Sequence, residues 1–225
     1  MNIDRAKEVL DYWIPEDGSP DYNKWFMKSE EYDQEIKEKF GILLKEAEKG
    51  KGFGWLHTKE SFVAYIILLD QFSRHIYRGS AEAFKNDIGV MIFTELGFEL
   101  YKDQLVGYEF MFAFMPYMHT ENLKLQKKGY EIFQNHMKLY QINPYLHNER
   151  KITDPSTTPH MTNIEITQYD KEYQMLKSME SHVEGHLQTI SEYGRFPKRN
   201  KFLNRESTKL EIIYMERSEV QNRPY

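Results

Sequence analysis

The 225-residue chain contains no cysteine. That absence excludes disulfides, thiolate nucleophiles and cysteine-ligated zinc together. Long apolar runs are missing too. The longest, Phe62 to Leu69, is eight residues, far short of the roughly 20 that cross a bilayer. The first residues, Met1-Asn2-Ile3-Asp4-Arg5-Ala6-Lys7-Glu8, lack the apolar core of a signal peptide. There is no surplus of positive charge: 30 Lys+Arg stand against 35 Asp+Glu, which argues against bulk nucleic-acid binding. Gly-rich phosphate loops, dinucleotide fingerprints and nucleophile elbows are absent. The expectation is a soluble, cytoplasmic protein that takes neither a membrane nor a nucleic acid as partner.

What is present is enough for a core, with 40% apolar residues beside 29% charged. The length suits one compact domain over residues 1–225. No segment keeps a period of two, whereas apolar residues recur at steps of three and four, and prolines avoid those stretches. The pattern predicts an all-α fold, an antiparallel helical array or bundle. Helices are expected over about 4–13, after Ser29, after Thr58 to about Ile76, and after Ser80 with Ile88, Met91, Ile92 and Leu96 facing inward. Further helices are expected over Tyr108 to Phe114, where Pro116 interrupts, after Thr120, over about 163–192, and from Thr208, which can form a capping box with Glu211. Residues 141–162 hold Pro144, Pro155 and Pro159 without apolar period, and read as a long irregular exposed loop.

Three polar constellations stand out. In the first, Asp70, Arg74 and Arg78 fall on one stripe with Val63 and Ile67 at about 100° per residue, and Gln71 lies beside it. Asp70 and Arg74 can pair at i,i+4, which leaves Arg78 as a surplus cation. In the second, Pro116-Tyr117-Met118-His119-Thr120-Glu121, a histidine suited to proton transfer lies beside a carboxylate. The third runs from Arg195 to Arg205 and holds five cations and no acid. Phe196 and Phe202 can anchor it while Arg195, Arg199 and Arg205 converge, with Asn200 among them; guanidinium forks suit phosphate or carboxylate. Each constellation also has a plainer reading, as a structural ion-pair network, a helix-start acid or a solvated basic loop. His182 and His186 stand one turn apart, but not in the order of zinc peptidases, so no metal site is assigned.

These motifs in this order resemble the DUF924 family. The resemblance runs from Val9-Leu10-Asp11-Tyr12-Trp13 through Trp25-Phe26 and Asp33 to Leu69-Asp70-Gln71-Phe72 with Arg74 and Arg78. It continues through Ala83-Phe84 with Asp87, Pro116-x-Met118-His119-x-Glu121, Gln126 and His186 to Gly194-Arg195-Phe196-Pro197, Arg199-Asn200, Leu203, Arg205 and Ser207-Thr208. It implies a tetratricopeptide-like helical array and brings no established activity or cofactor. The sequence departs from the family pattern at His75, where asparagine is usual, at Lys198, where histidine is common, and at Asn204, where glycine is usual.

Two functions compete. In one, the three segments build a pocket for an anionic small molecule. Arg74, Arg78, Arg195, Arg199, Asn200, Arg205 and Gln71 would bind it, and His119, His186, Glu121 and Asp70 would carry any catalysis. In the other, the chain is a scaffold for a protein or peptide partner and the polar motifs are interior struts. Whether the chain is an enzyme is open at this level.

Overall fold

The computed structural model describes residues 4–14, 21–142 and 163–217, and among them there are helices and turns but no strand. Residues 141 and 142 of the expected loop close a helix; residues 143–162 lie outside the described residues.

Helix α1 (Asp4–Trp13) buries Ala6, Val9 and Trp13, spaced three and four apart. The short α2 (Tyr22–Phe26) is tied to its end by Trp25 Nε1, which donates to Trp13 O at 2.8 Å. Ser29 caps α3 (Glu30–Glu48), accepting from Tyr32 N at 3.2 Å, and Glu30, Glu31 and Asp33 suit the positive end of the helix. A 3-10 turn (Phe53–Leu56) leads to α4 (Lys59–Ile66), capped by Thr58.

The chain does not leave α4 as a plain α-helix. Ile67–Phe72 is a π-helical segment, and α5 (Ser73–Ile76) completes the rod. Every residue from Ser61 to Ser73 is buried, so this rod is the centre of the fold. A wider π turn places fewer than 100° between successive side chains and often marks a functional site. Here it carries Asp70 and Gln71.

A 3-10 turn (Ala81–Phe84) precedes α6 (Asp87–Tyr101), and α7 (Gly107–His119) and α8 (Leu123–Ile142) follow. Gly97 lets α6 approach the central rod, because a Cβ there would lie 2.0 Å from the Phe62 ring. Helix α7 runs straight through Pro116 and is buried from Gly107 to Met118. The expected interruption does not occur: proline costs the helix one hydrogen bond, the helix ends three residues later, and burial of this whole apolar stretch outweighs the loss. Helix α9 (Asn163–Tyr193) packs on α7 and α8 through Met175, Leu176, Met179 and Val183. The last helix, α10 (Lys209–Glu216), has the Thr208–Glu211 capping box.

Helix α6 corrects one expectation. Val90, Met91, Phe93, Thr94, Gly97 and Phe98 face the core, while Ile88, Ile92 and Leu96 are 81%, 57% and 43% exposed. The helix is apolar all round, so its periodicity did not choose a face. No described helix is long and apolar enough to cross a membrane.

Candidate functional site

The site is built where the π segment, the end of α7 and the loop after α9 meet. Asp70 sits on the π segment with its side chain fully buried. His119 Nδ1 lies 2.8 and 2.9 Å from its two carboxylate oxygens, Arg74 Nη2 donates to it at 3.1 Å, and Gln71 Nε2 donates from the neighbouring position while also touching Met115 Sδ. Burial alone would raise Asp70; His119 and Arg74 outweigh that and hold the carboxyl well below its ordinary range. Asp70 is therefore a carboxylate.

His119 ends α7. Gln126, from α8, fixes the turn that follows by donating to Met118 O at 2.7 Å and Thr120 O at 2.9 Å. The cap of α8 is Asn122, whose Oδ1 accepts from Lys124 N and Leu125 N. Thr120 is thus not the N-cap; it is the residue that closes α7. Burial lowers the pKa of His119, and Arg74 adds to this against the pull of Asp70. The ring is neutral near pH 7, with Nδ1–H donated to the carboxylate. Its Nε2 then carries the lone pair, the arrangement of a general base. The His186 ring lies 6.3 Å from it, with its Nδ1 held 2.7 Å from His182 O and Phe196 packed edge-on at 5.4 Å. Burial, with His119 and Arg199 nearby, pushes His186 down to about 3.

The cations are matched one by one. Asp87, at the start of α6, joins Arg74 (Nη2, 2.9 Å) to Arg199 (Nη1, 2.8 Å). Arg199 comes from a 3-10 turn, Pro197–Arg199, and is buried. Its Nη2 donates to His119 O at 2.9 Å, and its guanidinium lies 4.6 Å from the Phe84 ring centre and 4.5 Å from that of Phe196. Burial and Arg74 lower it to about 10. Glu121 accepts from Arg205 at 2.6 and 2.9 Å and from Phe196 N at 2.8 Å, which together hold it low despite burial. Asn200 links the loop to itself, accepting from Arg205 Nε and donating to Ser207 Oγ. Asn204 adopts φ 50°, the left-handed region where glycine is most at ease.

The structure thus brings together Asp70, Gln71, Arg74, His119, His186, Glu121, Arg199, Asn200 and Arg205. It does not bring Arg78 or Arg195 to the same place. Arg78 pairs with Asp33 at 2.5 and 2.8 Å, beside the buried His75. Arg195 forms a fork on Glu211 at 2.6 and 2.8 Å, which draws that carboxyl down to about 2. Two physical causes separate Arg78 from the stripe: the π segment shifts the wheel, and the helix ends at Ile76.

Sequence reading had not singled out Asp87, the carboxylate that bridges two arginines. Its signal was present in Ala83-Phe84 with Asp87, but as a helix-start acid it looked like dipole compensation. Asp33 escaped for the same reason.

Next to this cluster is a cavity of about 860 Å³. Arg199, Asp87 and Glu121 line it on the cluster side, and Ile88, Met91, Ile92, Leu125 and Leu203 supply apolar walls. The described residues hold no group of three or more His, Asp or Glu placed to ligate a metal.

A family of bacterial proteins of unknown function, DUF924, matches over residues 9–219. The chain belongs to the DUF924 family. A solved structure, a protein of unknown function, ATU0120, from Agrobacterium tumefaciens, is 27% identical, with a TM-score of 0.67 over 95% of this chain and 97% of that one. No curated protein matches the chain. Membership in DUF924 brings a fold and a set of positions, and the chemistry has to be read from the site itself.

Proposed function

We propose that this chain binds a small molecule bearing a phosphate or carboxylate, with His119 and His186 placed to move a proton on it. The observation that carries the reading is a pair of buried donors without acceptors: Arg74 Nε and Arg199 Nε make no hydrogen bond. A buried donor left unmade costs about 1–3 kcal/mol, and such groups call for a water, an ion or a ligand. A guest oxygen would serve as the missing acceptor. Because Asp70, Asp87 and Glu121 already face Arg74, Arg199 and Arg205, the guest meets specific N–H groups and little net charge.

Asp70 would hold the His119 tautomer, and the cavity beside Arg199 would take the guest's apolar body. Thermal unfolding in inorganic phosphate and in short-chain carboxylates, at constant ionic strength, tests this. The midpoint should rise with the anion, the ring resonances of His119 and His186 should move, and Arg199→Lys, which keeps the charge but not Nε, should lose both responses. A flat midpoint with unmoved rings, or an Arg199→Lys chain that responds like wild type, would sink it.

One observation favours a second reading, a tetratricopeptide-like scaffold with the ion pairs as struts: α6 presents an uncovered apolar face. In that case the anion would change nothing and a macromolecule would stabilise the chain.

A further inference from the structure

Ile88, Ile92, Leu96 and Leu100 recur every fourth residue on α6 and are 81%, 57%, 43% and 57% exposed. At about 100° per residue they occupy an arc of about 120° on the side away from the core. Gly89 lies on the same arc, exposed, with open space where a Cβ would be. Isolated exposed apolar residues are ordinary, but a continuous row of four along one helix marks an interaction surface.

The row is symmetric. Helix α6 spans Asp87–Tyr101, so Thr94 is its midpoint, with Ile88 and Leu100 equally far from it, and likewise Ile92 and Leu96. Beyond the ends the charges are opposite. Lys85 precedes the helix by two residues and Asp103 follows it by two. A second α6 laid antiparallel about Thr94 sets Ile92 against Leu96, Ile88 against Leu100 and Lys85 against Asp103. Glu99 then faces Gly89 rather than another acid, so no like charges oppose. Both chains use the same patch, which is the condition for a two-fold interface.

We infer that α6 is a self-association surface, and that two copies of this chain pair through it in antiparallel register about Thr94. A single helix pair is small against the roughly 1,200–2,000 Å² of a stable interface, so the dimer is weak and reversible. Ile88 and Ile92 also line the cavity next to the ion-pair cluster. The partner's Leu96 and Leu100 therefore complete its outer wall. The pairing stands whether or not an anion binds there.

Sedimentation of the full chain over a wide concentration range tests the inference. The wild type should move reversibly between 27.1 kDa and twice that mass, and the Ile92→Asp Leu96→Glu chain should stay monomeric with unchanged circular dichroism. The absence of cysteine permits a sharper test of register. Oxidising Ile88→Cys chains mixed with Leu100→Cys chains should give the mixed disulfide dimer, while Ile88→Cys alone should not cross-link, its copies being about 18 Å apart along the axis. Three results would each overturn the inference: a wild type monomeric at every concentration, as when residues 143–162 or another protein cover the row; a dimer that survives the double substitution; or efficient cross-linking of Ile88→Cys to itself.

Discussion

Asp70 and His119, 49 residues apart in the chain, meet at 2.8 Å, one on the π segment and the other at the end of α7. The contact links the centre of the fold to its most reactive side chain. The same carboxylate also receives Arg74 and Gln71, so its removal strands several buried donors at once. Asp70→Asn should cost about 3–5 kcal/mol, the range for breaking a buried pair, read as a shift in the urea midpoint. It should also release the Nδ1–H tautomer of His119, visible in the ring nitrogen shifts. An unchanged tautomer would mean that other groups orient the ring.

Acid should weaken the fold in a defined window. His186 is held near 3 and His119 below its ordinary value, whereas unfolded histidines titrate near about 6.5. Between these values the unfolded chain binds more protons, so stability is fully present above about pH 6.5 and falls as the pH drops toward 3. Asp70 has the same sign but acts later, because its loss begins below an unfolded value of about 3.9. The thermal midpoint should decline through this range, and His186→Gln should make the decline shallower. Parallel curves for the two proteins would refute the assignment.

Much of this was legible in the residues, and the gaps have particular causes. The Thr208–Glu211 box and the helix after Ser29 follow from local hydrogen-bonding chemistry that needs no tertiary partner. The orientation of α6 did not, because both its faces are apolar and only packing against Phe62 chooses between them. The π segment left no local signature, so a regular wheel placed Arg74 and Arg78 together when they face different carboxylates. The convergence of Asp70, His119, Glu121 and Arg199 was expected. What escaped was that acids from other helices, Asp87 and Asp33, would answer the arginines. Asn204 shows the reverse case: a departure from glycine that reads as a loss in sequence occupies the one described non-glycine position of positive φ.

The arginines should separate in an anion assay. Arg78 and Arg195 are each forked onto their own carboxylate, away from the cluster. Arg195→Ala and Arg78→Ala should therefore leave phosphate stabilisation intact, whatever they do to the resting midpoint. Arg199→Lys should remove it. Thermal scans with and without phosphate on the three variants decide the matter, and loss of the response in Arg195→Ala would show that the anion binds at the α10 side instead.

Two glycines should respond with opposite signs. In Gly97→Ala the new methyl would lie 2.0 Å from the ring of Phe62, which is wholly buried on the central rod and has no room to retreat. Overpacking of this kind costs about 1–3 kcal/mol. In Gly41→Ala, on the open side of α3, the nearest neighbour is Lys37 Cγ at 3.9 Å, an ordinary contact with a flexible chain. Alanine there removes conformational freedom from the unfolded chain and should stabilise by about 0.4–1 kcal/mol. Denaturant titrations of both proteins would check the pair. If Gly97→Ala were as stable as wild type, α6 could not lie as close to the rod as the Phe62 contact requires, and the outward direction of Ile88, Ile92 and Leu96 would lose its structural cause.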